Sequence, residues 1–255
     1  MRILGLTAPV FAAACYLVAA DDGACVVVDP GGGVADAVRR TVAEHGLRVV
    51  GVVATHGHAD HVADAGVLAA AAGVPLRLHA RDAYRLADPL GSLGLGATAD
   101  PGVAASLRAA AASAGLDPAT FGRVDPALVA PFGGEDGPGT GPGALGAGPG
   151  APARTADVEL RFGSVTLVAR HAPGHTEGST LYLLDAGEER VAFTGDVLFA
   201  GSVGRTDLPG GDPGTMAATL REVVATLPPG THVLPGHGPA TRVDAELATN
   251  PYLAG

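Results

Sequence analysis

The sequence predicts an α/β chain, α+β in arrangement, of two sheets packed together with helices outside. Three observations lead there. The first half alternates strand-like apolar runs with helix-period segments. The second half is rich in strands. In both halves, strand-like runs end on glycine-containing loops that carry histidine or aspartate. At 255 residues the chain is expected to form one domain spanning 1–255, long enough for a sizeable core, with an insertion at 88–155.

The elements follow in order. Residues 6–20 are apolar, Asp21-Asp22-Gly23 is a turn signal, and a second apolar run covers 24–28, which together predict a β-hairpin. Ala12-Ala13-Ala14-Cys15 faintly resembles a lipoprotein cleavage site. With only Arg2 as positive charge, the hairpin is the better reading. Pro30-Gly31-Gly32-Gly33 leads into a helix with Val34, Val38 and Val42 on one face and Gly46 as its stop. A buried strand is predicted at 47–54, a helix at 61–72 closed by Gly73, a strand at 74–79 and a short helix at 81–87.

Residues 88–155 differ in composition. Asp100-Pro101 starts a helix expected to reach 113, and 117–121 reads as a further turn. The segment 133–153 is nearly all Gly, Pro and Ala and is expected to be a mobile surface loop. Strands are then predicted at 158–162, 164–171, 179–185 and 190–194. A helix at 212–226, a short strand at 231–234 and a last helix at 243–249 follow.

Composition narrows the function classes. A formal net charge of −10 argues against a nucleic-acid surface. No apolar run reaches the roughly eighteen residues a membrane span needs. All 16 basic residues are arginine, so lysine bases and lysine Schiff bases are excluded. Cys15 and Cys25 lie in apolar segments and are expected to be buried reduced thiols, in keeping with the cytoplasm. Monomer and dimer both fit the sequence.

The densest chemistry is Thr55-His56-Gly57-His58-Ala59-Asp60-His61, directly after an apolar run. Three imidazoles and a carboxylate fall within six residues. His175, Asp196 and His237 each follow a strand-like segment beside a glycine. Five histidines and two aspartates at these spacings predict two adjacent metal centres, and the donor set suits zinc, iron or manganese. His45, His79 and His232 read as surface or core filler. His171 is four residues before His175, but Pro173-Gly174 breaks any helix between them, so it reads as structural or supporting.

With these residues in view, the chain resembles metallo-β-lactamase-fold hydrolases, and among them the glyoxalase II-like group in its short form. The resemblance covers nearly everything outside 88–155. It is carried by His56-Gly57-His58-Ala59-Asp60-His61, Val28-Asp29-Pro30-Gly31 and Ala172-Pro173-Gly174-His175-Thr176. Thr194-Gly195-Asp196, the run Gly204-Arg205-Thr206-Asp207-Leu208-Pro209-Gly210-Gly211-Asp212 and Asn250-Pro251-Tyr252-Leu253 add to it. It implies an αββα four-layer sandwich. It gives His56, His58 and His175 to one metal, and Asp60, His61 and His237 to a second, with Asp196 bridging both.

The implied activity is hydrolysis of a hydroxyacyl thioester with two divalent ions, zinc first, and a small-molecule thioester as partner. Two cations about 3.5–4 Å apart bring a bridging water toward neutral pKa. Asp60 is expected to orient the resulting hydroxide. Arg205 reads equally as a contact to a substrate carboxylate and as a salt bridge to Asp207. The family commonly grips glutathione with basic residues, some in a C-terminal domain. The absence of lysine and of that domain here leads to the expectation of a different thiol carrier.

The alternative implied by resemblance is a persulfide dioxygenase, with one iron on His56, His175 and Asp196. The match over 199–212 and at 250–253 favours the hydrolase. β-Lactamases usually lack the bridging aspartate, which is present here as Asp196. Diiron flavoproteins usually carry glutamate at the position of His58.

Overall fold

Strand β3 (Ala24–Val28) is buried on both faces, and its alternation shows what lies on either side. We describe residues 1–94, 105, 109–117, 121–133, 156–187 and 189–253 of a computed structural model. Cys25 and Val27 point into a cluster with Val34, Val38, Ala65, Leu68 and Ala69. Val26 and Val28 point the other way, into a cluster with Leu167, Tyr182 and Phe193 of a second sheet. Successive side chains on a strand face opposite ways, so a strand covered on both sides reads as one apolar run.

The first sheet runs in chain order, β1 (Arg2–Thr7), β2 (Ala14–Ala19), β3, β4 (Arg48–Val53) and β5 (Leu76–Arg77). The first two pairs are antiparallel, and β4 lies parallel to both β3 and β5. The hairpin predicted around Asp21-Asp22-Gly23 is β2–β3, with Asp22 Oδ1 accepting from Ala24 N at 3.0 Å. The apolar run 6–20 is not one strand, however. It breaks after Thr7, and Phe11 and Ala12 turn with φ of 59° and 54° before β2 begins. Pro9 has no N–H to give a ladder, and the separated pieces become the antiparallel pair β1–β2.

Helix α1 (Ala35–Glu44) turns Val38 into the core beside Val34 and Val42, and Gly46 follows at φ 61°. The helix predicted at 61–72 is two pieces, α2 (Ala59–Val62) and α3 (Ala65–Ala72), the second ended by left-handed Gly73. The predicted strand at 74–79 shortens to β5. A 3₁₀ segment, Ala80–Leu86, stands where a short helix was expected, and α4 (Pro89–Ser92) follows it. Of the helix expected at 100–113, residues 105 and 109–113 are described and are helical. The loop expected at 133–153 lies, apart from Gly133, outside the described residues, as do 118–120 of the expected turn.

The second sheet contains β6 (Val158–Phe162), β7 (Val165–His171), β8 (Thr180–Ala186) and β9 (Glu189–Gly195). It is completed by β12 (His232–Pro235) and β13 (Thr241–Arg242), in the order β13-β12-β9-β8-β7-β6. β10 (Leu198–Phe199) and β11 (Ser202–Val203) form a small separate hairpin. Helix α5 (Pro213–Thr219), capped by the Asp212 carboxylate, runs on through a π-helical turn, Leu220–Val224. Helix α6 (Val243–Thr249) follows β13.

On this sheet Leu181, Ala192 and Val233 meet Met216, Leu220, Val224 and Val243 of the outer helices. Tyr182, Leu184, Val191 and Phe193 face the first sheet. The layers are therefore helices, sheet, sheet, helices. Two phenols, one buried and one half-buried, stitch the sheets at one edge. Tyr182 donates to Ala54 O at 2.9 Å, and Tyr16 donates to Pro235 O at 2.8 Å. Among the described residues, no helix is long and apolar enough to cross a membrane.

Candidate metal centre

The stitched edge is where both sheets deliver polar side chains. Strand β4 ends at Val53, and the chain continues through Ala54 and Thr55 to His56. His58 is extended, and α2 starts at once, so Asp60 and His61 fall on its first turn. His175 lies in the loop between β7 and β8. Asp196 directly follows β9, and His237 follows β12 by two residues. These strands are parallel neighbours with Gly195 opposite Pro235, so their carboxyl ends lie side by side. Gly195, at φ 49°, fits tightly here, since a Cβ would lie 2.3 Å from Thr55 Oγ1. At Gly236 it would lie 2.3 Å from Asp196 Oδ1 and 2.7 Å from His61 Cε1.

All seven residues predicted as ligands come together. His56 Nε2, His58 Nδ1 and His175 Nε2 are separated by 3.1, 3.2 and 2.9 Å. Metal–nitrogen bonds of about 2.0–2.1 Å place neighbouring donors roughly 3 Å apart, so these atoms fit one cation. A second group joins Asp60, His61 and His237. Asp60 Oδ2 is 3.6 Å from His61 Nε2 and 3.3 Å from His237 Nε2. Asp196 stands between the groups. Its Oδ2 is 3.6 Å from His175 Nε2 and 3.7 Å from His237 Nε2, and its Oδ1 is 3.3 Å from His61 Nε2.

The opposite ring nitrogens are held from outside. His61 Nδ1 donates to Asp29 Oδ2 at 3.0 Å. His175 Nδ1 donates to Arg205 O at 2.7 Å. Thr55 Oγ1 donates to Asp29 Oδ2 at 2.7 Å and so accepts from His56 Nδ1 at 3.1 Å. These bonds leave the inner nitrogens of His56, His61 and His175 as lone pairs. Lone pairs this close repel one another unless a cation lies among them. His61 Nε2 and Asp196 Oδ1 are buried with no hydrogen-bond partner, which fits the same occupant.

Electrostatics separate the two groups. Burial holds His56 and His58 well below the ordinary imidazole pKa, and neighbouring imidazoles push the same way. Burial also opposes charge on His61, yet the Asp60 and Asp196 carboxylates outweigh it and raise its pKa. His237 is raised by its hydrogen bond to Asp60. Burial works against ionised Asp60 and Asp196, but His61 and the neighbouring imidazoles keep both below the usual carboxylate range. One group is an all-imidazole face and the other a carboxylate–imidazole face, both suited to a divalent cation.

The remaining predicted residues fall as follows. The Arg205 guanidinium is exposed and pairs with Asp207 through two contacts of 2.7 Å, while its carbonyl serves His175. His171 Nε2 donates to Glu177 O at 2.8 Å, and its ring stacks on His79 at 4.1 Å, apart from the ligand atoms. Sequence reasoning missed Asp29, Asp82, Arg85 and Glu177. Asp29 stood in the Val28-Asp29-Pro30-Gly31 run, which was the one available signal. Nothing in sequence distance marks Asp82 or Arg85.

Comparison with known proteins is consistent with this geometry. The model of the Metallo-beta-lactamase superfamily matches residues 8–237. An uncharacterized protein of Mycobacterium leprae is 34% identical over 256 residues, covering 100% of both chains. A probable metallo-hydrolase of Bacillus subtilis is 30% identical over 247 residues, 97% of this chain and 94% of the relative. A hydroxyacylglutathione hydrolase of Haemophilus influenzae is 42% identical over 83 residues, 32% of this chain and 38% of the relative. Among solved structures, the BLEG-1 B3 metallo-beta-lactamase superposes with a TM-score of 0.72 at 27% identity, covering 100% of each chain. TTHA1623 in a di-iron-bound form gives 0.63 at 28%, covering 98% of this chain and 100% of the other. ETHE1 from Myxococcus xanthus gives 0.65 at 22%, covering 100% and 85%, a likeness of fold.

Proposed function

The chain belongs to the metallo-beta-lactamase superfamily, and on that premise we propose that it hydrolyses hydroxyacyl thioesters with two divalent cations. The observation that carries this reading is the Asp196 carboxylate, set between a three-histidine group and an Asp60–His61–His237 group. His56, His58 and His175 would hold one cation and Asp60, His61 and His237 the other, with Asp196 shared. Zinc suits this donor set, and iron or manganese would also fit. When bound, such a pair supplies a hydroxide near neutral pH and polarises a carbonyl.

The chain's own residues do the positioning. Asp29 and the Arg205 carbonyl fix which nitrogen of His61 and His175 faces inward. Asp60, fixed on α2 beside His237, orients the attacking water. A thiolate is a good leaving group, so no strong general acid is required, and no lysine is present to act as one.

The similarity to a hydroxyacylglutathione hydrolase over 83 residues supports the thioester. The di-iron-bound structural relative supports two metals. Free, buried Cys15 and Cys25 support a reducing compartment, and we place the protein in the cytoplasm.

The test is a substrate panel with elemental analysis: lactoyl thioesters, a β-lactam, and glutathione persulfide with oxygen uptake. Metal-dependent thioester cleavage at two metals per chain is expected. Rapid oxygen uptake by an iron-loaded sample, with no thioester cleavage by a zinc-loaded one, would replace this reading with the one-iron dioxygenase on His56, His175 and Asp196.

A further inference from the structure

The two loops that carry the three-histidine group meet on one buried carboxylate. Asp82 Oδ2 accepts from Gly57 N at 2.8 Å and from Thr176 Oγ1 at 2.7 Å. Its Oδ1 accepts from Gly178 N at 2.8 Å, with Arg85 Nε at 3.4 Å. Gly57 lies between His56 and His58, and Thr176 follows His175. Both loops also press on Asp82. A Cβ at Gly57 would lie 2.9 Å from Asp82 O, and one at Gly178 would lie 2.7 Å from Asp82 Cγ.

Arg85 extends the tie. Its side chain is fully buried and pairs with both Asp82 and Glu177. The same guanidinium donates to Pro209 O at 2.9 Å, in the loop whose Arg205 carbonyl holds His175 Nδ1. His175 is thus approached from two sides, through Thr176 and Gly178 on Asp82 and through Arg205 on the loop that Arg85 grips. A buried guanidinium between two carboxylates is costly to disturb once its partners are in place. None of the three side chains belongs to the ligand groups.

We propose that Asp82 is a positioning residue for the three-histidine centre, fixing the separation of the His56–His58 loop from His175, with Arg85 and Glu177 carrying that constraint to the Arg205 loop. His61, by contrast, hangs from Asp29 and stands outside this tie. Asp82 should therefore govern one metal and leave the other almost untouched. The proposal rests on the metal assignment above and is indifferent to the substrate.

The experiment uses cobalt(II), titrated into metal-free full-length chain against a competing chelator. Hyperfine-shifted imidazole N–H signals report the site filled, three histidines from one centre and two from the other. Asp82→Asn keeps the side-chain volume but offers one oxygen where three hydrogen-bond donors and Arg85 converge. We expect the three-histidine centre to weaken about ten- to a hundredfold, with the Asp60–His61–His237 centre within about threefold of wild type. Thr176→Val removes one of the donors to Asp82, together with the hydroxyl contact to Ser179 Oγ, and should weaken the same centre about three- to tenfold. It carries the test if Asp82→Asn fails to fold. Wild-type affinity at the three-histidine centre, or equal losses at both centres, overturns the proposal. Failure of the wild-type chain to take two cobalt ions overturns the metal assignment, and the positioning role with it.

Discussion

Asp29 accepts the Nδ1 proton of His61 at 3.0 Å from a backbone held at φ 50°, a conformation seldom adopted outside glycine. The same carboxylate takes Thr55 N at 2.6 Å and Thr55 Oγ1 at 2.7 Å. One side chain at the end of β3 thereby sets the inward nitrogen of His61 and, through Thr55, that of His56. Asp29→Asn should weaken the Asp60–His61–His237 centre about ten- to a hundredfold. Chelator competition checks this, with circular dichroism unchanged.

Asp196→Asn should remove thioester hydrolysis, by at least about a hundredfold, and weaken both metals together. A neutral amide cannot serve two cations as a carboxylate does, and the two oxygens of Asp196 face both groups. Turnover near wild type would show that the carboxylate is not shared.

Gly236→Ala tests how closely the two strand ends meet. The added methyl would sit 2.3 Å from Asp196 Oδ1, so either the backbone or the carboxylate must move. Overpacking of this kind costs about 1–3 kcal/mol. The variant should fold with a lowered Tm and hold fewer than two metals in elemental analysis. Full metal content at wild-type Tm would mean that the edge yields easily.

His79 gives a pH signature away from the metals. Burial, with His171 and Arg81 nearby, holds its pKa down to about 3 against an ordinary 6.5. Between those values the unfolded chain binds the proton and the folded one does not. Stability from this group is therefore present above about 6.5 and falls as pH drops toward 3, by at most about 1.4 kcal/mol per pH unit. Urea unfolding of wild type and His79→Gln from pH 7 to 4 should show the variant gaining relative stability as pH falls. A constant difference would show that His79 does not titrate in this range.

On the proposed thioester reading, thiol choice would follow from charge. Tight hold on glutathione calls for cationic anchors for its carboxylates. There is no lysine, and Arg205 is engaged with Asp207. Lactoyl esters of glutathione and of uncharged thiols should differ by less than about tenfold in kcat/KM. A hundredfold preference for glutathione would mean that another arginine reads it.

Much of this architecture was legible from residue patterns. Val34, Val38 and Val42 marked α1, Asp212-Pro213 marked α5, and four ligand-type residues in six marked the loop after β4. What escaped has a common physical cause. Asp82 and Arg85 fell within a predicted short helix and carried no signal of their own, because the ion pair that buries the arginine is completed by Glu177, 92 residues away. Asp29 entered only as part of the Val28-Asp29-Pro30-Gly31 run, with no role attached, because its partner His61 is 32 residues further on. Two-residue strands such as β5 and β13 owe their existence to a neighbour's edge, which local propensity does not encode. The break at 8–13 was hidden by apolar residues that pack in a turn as readily as in a strand.

The parallel pairing of β9 with β12 has a consequence for how the protein is made. Asp60, His61 and Asp196 of the second group precede residue 200, but His237 waits until β12 is laid against β9. During synthesis the first half emerges with an exposed cluster of three imidazoles and a carboxylate that has no partner surface. On the proposed two-cation reading, the second group cannot be complete until the second sheet exists, and a cation there would join halves translated at different times. A chain stalled before β12 lacks His237 and so has no full pair of groups.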